Sequence, residues 1–301
     1  MGSYAFRILN VFTRDNESFT GNPLCVFENG ADFDDRTMQA LARQFNLSET
    51  TFILPSSKAD ARVRIFTPHY EMPFAGHPTL GTAHVCRSLG VGGDSLRLEM
   101  QAGIVPVAAS GNRWTLTAPA CTWRELESPL ADLARALHLA ADDIGQRPLW
   151  VSCGTEQLIV PLTSEDAVRR ALPQQGACAG IRNERGAGMI YVFAAGAATG
   201  GAARSLARFF FPQDGTLLED PATGSATANF GGWCIAMQRP LPLRYDISQG
   251  EMVGRPSALI LEIGADRRIA VSGNVIQIGE GTLALAQDQG CGSPGTRPKA
   301  P

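Results

Sequence analysis

The sequence is short of charge, of histidine and of closely paired cysteines. Charged residues make up 18% of its 301 positions and the formal net charge is −3, so it offers no basic field to nucleic acid or an anionic membrane. No apolar run reaches the roughly 18 residues that a membrane-spanning helix needs. The stretch MGSYAFRILNVF has neither a charged n-region nor an apolar h-region, and no signal peptide is expected. The four histidines, at 69, 77, 84 and 138, show no zinc spacing and no H-E-x-x-H. There is no Walker loop, no strand–G-x-G-x-x-G–helix unit and no G-x-S-x-G elbow. The seven cysteines, at 25, 86, 121, 153, 178, 234 and 291, form no C-x-x-C pair, which predicts free thiols in a reducing cytoplasm. What is left is a cofactor-free, metal-free site made from carboxylates, histidine and backbone dipoles.

What the sequence does contain is a motif written twice. Residues 64–77 carry R-x-F-x-P followed by E-x-P-x-x-G, and residues 208–225 carry the same pattern. Arg64 and Pro68 map onto Arg208 and Pro212 at an offset of 144 residues; Glu71, Pro73 and Gly76 map onto Glu219, Pro221 and Gly224 at 148. The extra four residues fit a longer turn in the second copy. A repeat this long is not a solenoid period. With 44% hydrophobic residues, enough for a sizeable core, it predicts two similar domains, each with one strand–loop–helix unit facing a shared cleft.

The pattern of each half is strand-rich. Strands are predicted at Tyr4–Phe12, Leu24–Phe27, Thr51–Leu54 and Val63–Thr67, and an amphipathic helix at Asp35–Asn46 with Met38, Leu41, Ala42 and Phe45 on one face. Residues 119–129 read as a crossover. Helices at Pro129–Leu139 and Ser164–Leu172 follow, the second N-capped by Ser164. The motif helices, PTLGTAHVC and GSATANFGGWCIAM, are nearly free of charge on every face, so each is surrounded by protein. A curved sheet wrapped around a central helix is the α+β architecture this implies, with domains over 1–120 (completed by about 280–287) and 121–279. The Gly/Pro-rich tail, 288–301, reads as disordered.

Candidate chemistry lies at the two loops. Gly76-His77-Pro78-Thr79 and Thr223-Gly224-Ser225 open helices whose first N–H groups lack internal partners, and facing ends of this kind hold a carboxylate. Taken singly, each loop is equally an ordinary cap. His77, at a helix start, is expected neutral, either as a proton shuttle or as a structural group bonded to a carbonyl. Glu71 and Glu219 recur in both copies and suit a shared structural role. Asp220 aligns with Met72 and breaks the symmetry, so it is either functional or a solvated acidic turn. Glu49 joins a helix to a strand; buried in a cleft its pKa would rise, whereas read alone it is an exposed acid. Gly-Asn-Pro at 21–23 is a turn signal by default. Cys153 reads as a small core residue.

GNPLCVF (21–27), NLSETTF (46–52), RIFTP (64–68), FAGHPTLGTA (74–83), EDPATGSA (219–226), QGEMVGRPS (249–257) and VSGN (271–274), in this order, resemble the phenazine-biosynthesis PhzF-like family. The resemblance implies the diaminopimelate-epimerase-like fold, two pseudo-symmetric domains each with a barrel-like sheet around a central helix. It implies a homodimeric isomerase that works without a cofactor on a small carboxylate, as with trans-2,3-dihydro-3-hydroxyanthranilate. Glu49 would be the acid/base, His77 and Asp220 its assistants, and Gly76, Thr223, Gly224 and Ser225 the substrate-binding positions. The epimerase branch places a Cys before the Gly of each loop; Ala75 and Thr223 stand there instead, which disfavours two-thiol racemisation. A related enzyme acting on another metabolite and a non-catalytic binding protein on the same scaffold stay open. Convergence of Glu49, His77 and Asp220 on one cleft separates enzyme from binder.

Overall fold

The structure, a computed structural model, describes residues 2–285 except 175, 177–179, 197–201 and 214. The predicted tail at 288–301, Cys178 and Cys291 lie outside the described residues. The first half runs β1 (Gly2–Thr13), β2 (Asn22–Phe27), α1 (Asp35–Phe45), β3 (Glu49–Leu54), β4 (Ala61–Phe66), β5 (Glu71–Met72), α2 (Gly76–Ser88), β6 (Ser95–Met100), β7 (Gly103–Ser110) and β8 (Arg113–Thr117). The second runs β9 (Thr122–Glu125), α3 (Leu130–Ala136), β10 (Leu149–Ser152), β11 (Glu156–Pro161), α4 (Glu165–Arg170), β12 (Ile190–Ala195), β13 (Ala203–Gln213), β14 (Thr216–Asp220), α5 (Gly224–Ala236), β15 (Leu243–Gln249), β16 (Ser257–Ile263) and β17 (Ile269–Leu285).

Strand pairing closes the first half into a ring: β1–β2–β3–β4–β6–β7–β8–β17 and back to β1, with β2–β3 and β4–β6 parallel. The second half repeats the order as β10–β11–β12–β13–β15–β16–β17, with β11–β12 and β13–β15 parallel and β9 beside β10. Strand β17 belongs to both: Ile269–Asn274 pair with β8 or β16, and Asn274–Leu285 with β1. Ile269–Leu285 is one strand, with register shifts opposite β1.

Each half wraps its sheet around its motif helix. Helix α2 is buried along almost its whole length and α5 over Ala226–Cys234, which is why neither carries charge on an inner face. Small residues let the sheet close in. A Cβ on Gly232 would stand 2.7 Å from Val151 Cγ1, and one on Gly81 would strike Leu24. Thr82 Oγ1 bonds Pro78 O at 2.7 Å and lies 2.8 Å from Thr51 Oγ1, so its hydroxyl is satisfied inside the ring. No helix of the described residues is long and apolar enough to cross a membrane.

The repeated motif is a β-hairpin in both halves. Phe66 faces Glu71 across β4–β5, and Phe210 faces Glu219 across β13–β14. Arg64 forks onto Glu71 at 2.7 and 2.6 Å, and Arg208 onto Glu219 at 3.2 and 2.7 Å. Each guanidinium also stacks on the aromatic ring two residues further along, 5.0 Å from Phe66 and 4.8 Å from Phe210. The second hairpin adds the pairs Phe211–Leu218, Pro212–Leu217 and Gln213–Thr216, which accounts for the longer spacing of that copy. Residues 216–220 are therefore strand.

Two other expectations change. The crossover at 119–129 contains β9, a short strand with a mostly exposed face. It pairs Thr122 with Ser152, so Cys121 and Cys153 are the next cross-strand pair, and they form a disulfide with Cα atoms 4.3 Å apart. Cys153 is thus not a free core thiol; Cys25, Cys86 and Cys234 are free and buried. Gly21-Asn22-Pro23 leads straight into β2, and Asn22 is fully buried.

The Arg208–Glu219 pair is nearly enclosed, with side chains 9% and 8% exposed. Arg208 Nη1 also caps the end of α4 through Val168 O, Arg169 O and Ala171 O. Glu219→Gln leaves that guanidinium buried without its counter-ion and should cost about 3–5 kcal/mol in denaturant unfolding. Glu71→Gln should cost less, because Arg64 keeps Asp35 at 2.6 Å.

Candidate active site

A cavity of about 850 Å³ lies between the halves and is lined by all seven residues named from the sequence: Glu49, Gly76, His77, Asp220, Thr223, Gly224 and Ser225. Three devices bring them together. Helix α1 is capped by Asp34, whose side chain accepts from Thr37 N at 2.8 Å, and is ended by Asn46 in the left-handed region. The chain then reverses within two residues, and β3 opens with Glu49 at the cavity edge. The β4–β5 hairpin delivers α2, whose second residue is His77. The longer β13–β14 hairpin ends on Asp220 and delivers α5.

The two helix starts abut. A Cβ built on Gly76 would lie 3.9 Å from Gly224 Cα and from Ser225 N, and one on Gly224 only 3.2 Å from Phe12 Cζ. Phe12 itself is fully buried with φ 63, a costly conformation for an aromatic residue, and it lines the cavity beside Gly224. Neither Ala75 nor Thr223 supplies a side-chain cap, so the first-turn N–H groups face the cavity uncapped by side chains.

Glu49 and His77 are the chemical centre. Glu49 Oε2 and His77 Nε2 stand 3.3 Å apart, outside hydrogen-bond geometry, and both atoms are buried without a partner. Burial, with the charge of Asp220 added, pushes the Glu49 carboxyl up to about 8. Burial likewise pulls His77 down to about 3, opposed by a hydrogen bond with the Pro23 backbone. The imidazole is neutral, as expected from its helix position, but desolvation is the cause. Proline has no N–H, so the ring donates to the Pro23 carbonyl. The unpartnered Nε2 is then the bare nitrogen, and it faces Glu49. In the second half Ile190 pairs with Phe210 as Thr50 pairs with Phe66, so the position of Glu49 is taken by Met189 and the acid exists on one side only.

Asp220 is neither solvated nor a turn residue. Its Oδ1 accepts from Asn22 Nδ2 at 2.9 Å and its Oδ2 from Thr223 Oγ1 at 2.5 Å. Burial raises its carboxyl to about 6; Thr223 and Asn22 hold it down, and the Glu219 charge adds to the rise. The two carboxyls therefore titrate as a split pair, Asp220 ionising first and Glu49 last. Gln249 completes this corner, donating to Asp220 O at 2.8 Å and Thr223 Oγ1 at 3.0 Å. Thr223 thus lines the cavity with its hydroxyl committed to Asp220.

The remaining wall is apolar, with Met72, Phe74, Met189, Phe209, Phe211 and Leu218. At the rim, Gln213 Nε2 lies 3.3 Å from His69 Nε2, joining the two hairpin tips across the cleft. Tyr70 stands beside them, its phenol raised by burial and by the charge of Glu49. Reading the residues one at a time missed Asn22, Gln249 and Tyr70. Asn22 and Gln249 lie inside the GNPLCVF and QGEMVGRPS motifs, the one signal that marked them. Among the described residues, no group of three or more His, Cys, Asp or Glu is set to hold a metal ion.

The sequence profile of the phenazine biosynthesis-like protein family, PhzC-PhzF, matches residues 9–281. The chain belongs to this family. It is 35% identical to an uncharacterised isomerase of Pasteurella multocida over 98% of this chain and 99% of that one. It is also 35% identical to the trans-2,3-dihydro-3-hydroxyanthranilate isomerase of Pseudomonas aeruginosa, covering 90% and 96% of the two chains. The crystal structure of a PhzF-family protein from Bacillus anthracis superposes with a TM-score of 0.84 at 23% identity, over 95% of this chain and all of the other. The PhzF-family chain has the diaminopimelate-epimerase-like fold and is an isomerase. Glu49, His77 and Asp220 line one cavity, as the enzyme reading requires.

A carboxyl raised on folding stabilises the protein below its unfolded value and loses that contribution as pH rises through the folded value. For Glu49 the window runs from 4.5 to about 8. Glu49→Gln removes the titration, so its melting temperature should gain on the wild type steadily across that window. A pH-independent difference would contradict the burial of an ionisable Glu49.

Proposed function

We propose that this isomerase moves a proton between carbons of a small, cyclic carboxylate without a cofactor, using Glu49 as the acid/base, with a substrate of the trans-2,3-dihydro-3-hydroxyanthranilate class. The carrying observation is a buried carboxyl with an unpartnered oxygen, raised to about 8, set against a neutral imidazole and a second carboxyl that ionises near 6.

The reaction runs in two proton transfers. Ionised Glu49 takes a proton from a substrate C–H, and the electron pair left on carbon moves into the adjacent double bond. Protonated Glu49 then returns the proton to a different carbon, so atoms and charge balance within the substrate. The apolar wall holds the carboxylic acid form against solvent, and the bare Nε2 of His77 can accept its hydrogen bond during the transfer. Proton transfer of this kind contributes roughly 10²–10⁴-fold. The substrate carboxylate sits against the abutting starts of α2 and α5, where uncapped N–H groups and both helix dipoles favour an anion. Asp220, held by Asn22, Thr223 and Gln249, offers a fixed acceptor for a substrate N–H or O–H group. The reading includes the homodimer implied by the resemblance and the cytoplasmic location expected from the sequence.

Glu49→Gln should fold normally and lose at least about 10²-fold in kcat on trans-2,3-dihydro-3-hydroxyanthranilate; turnover within a few-fold of wild type would remove Glu49 from the mechanism. Because the base must be ionised, wild-type kcat/KM should rise with pH and level off above about 8. A profile flat from pH 6 to about 9 would argue against a raised Glu49 as the base. Product formed in heavy water should carry deuterium at the carbon that receives the proton only to the extent that protonated Glu49 exchanges with solvent before the return step.

A further inference from the structure

We propose that Asn229 and Gln157 are positioning residues that fix the Ser225 hydroxyl as a one-way donor toward an anionic oxygen of the substrate. The inference rests on the carboxylate reading above and specifies which side chain meets that carboxylate.

The argument starts from a group of unambiguous polarity. The backbone N–H of Cys153 can only donate, and it lies 2.7 Å from Asn229 Oδ1. That contact fixes the Asn229 amide, because the flipped form would face donor with donor. Asn229 Nδ2 must then donate, and it does so twice, to Thr155 O at 2.8 Å and to Gln157 Oε1 at 2.7 Å. The second of these fixes the Gln157 amide in turn. Gln157 Nε2 is left facing Ser225 Oγ at 3.0 Å, and the serine oxygen must accept. Asn229 and Gln157 are 1% and 2% exposed, so water does not compete with this order.

A hydroxyl has one proton. With its oxygen accepting from Gln157, Ser225 has its own O–H free for another acceptor, and among the described residues none takes it. Ser225 is the second residue of α5, lines the cavity and is only partly buried. Its backbone N lies beside the position a Cβ on Gly76 would occupy, at the junction of the two helix starts. An anionic oxygen arriving there meets the serine proton as well as the helix N–H groups. A neutral acceptor such as a ketone gains less, because hydrogen bonds to an ionised acceptor are about twice as strong. The relay therefore favours a carboxylate over an uncharged carbonyl at this end of the cavity. It also ends at a disulfide-bonded residue, since the Cys153 backbone is tied through Cys121 to the start of β9.

Neutron diffraction from deuterium-exchanged crystals of the wild-type protein reads the order directly. Two deuterons on the Gln157 atom nearest Ser225, with the serine deuteron aimed into the cavity, are expected. A serine deuteron pointing at Gln157 would overturn the relay, whatever the substrate proves to be. Calorimetric titration with anthranilate, a ring carboxylate, tests its use. Ser225→Ala and Gln157→Met should each weaken binding by roughly 10-fold, and the double variant by no more than either alone, because both remove the same oriented donor. Multiplicative losses in the double variant would show that Gln157 acts elsewhere and would overturn its positioning role. If the wild type binds no anthranilate while the neutron map shows the expected order, the carboxylate reading fails rather than the relay's polarity.

Discussion

The structure depends on one ion pair made twice. Arg64–Glu71 and Arg208–Glu219 lock two hairpins, and each hairpin sets where the following helix starts. Two helices aimed at one point from opposite halves need their entry strands held within a residue of register, and a bidentate fork supplies that more strictly than a single-point contact. The second pair is more deeply enclosed and also terminates α4, so the longer hairpin that carries Asp220 rests on the firmer anchor. Everything polar in the cavity is then added to a frame that exists without it.

Chemistry enters where the frame is unequal. Glu49 stands where the other half has Met189, His77 where it has Ser225, and Asp220 where the first has Met72. Each half thus contributes what the other lacks: the first an acid and a bare imidazole nitrogen, the second an acceptor already tied by three residues. The carboxyls influence one another across the cavity, and that coupling exists only because the halves are in contact. A single half would have one carboxyl in open solvent and little reason for its pKa to move.

The frame was legible in the sequence and much of the site was not, for definable reasons. A duplicated R-x-F-x-P…E-x-P-x-x-G is local, and its offset of four reappears as three extra cross-strand pairs. The charge-free helices were readable because burial on all sides leaves no face for charge. By contrast, Asn22 finds Asp220 at a sequence distance of 198 residues, and its Gly-Asn-Pro context has the composition of a turn. Strand β9 is short, with three of four residues exposed, so it lacked the alternation that marks a strand. Without β9 there was no register to bring Cys121 to Cys153, and the pair passed for free thiols. Glu49 read singly as exposed because its burial depends on the cavity between the halves, which no local pattern reports.

The contact between His69 and Gln213 has a consequence for how the molecule can change. The two residues are 144 positions apart, the spacing of the repeat itself, so each touches its own counterpart. Gly76 meets Gly224 in the same way. This is the isologous geometry of a two-fold dimer, realised inside one covalent chain. In a dimer of identical subunits, a substitution on the axis appears on both sides and meets itself, so a charge introduced there opposes its own copy. Joined in one chain, the two sides are free to differ, and the axis becomes the place where one altered residue acts on its unaltered twin.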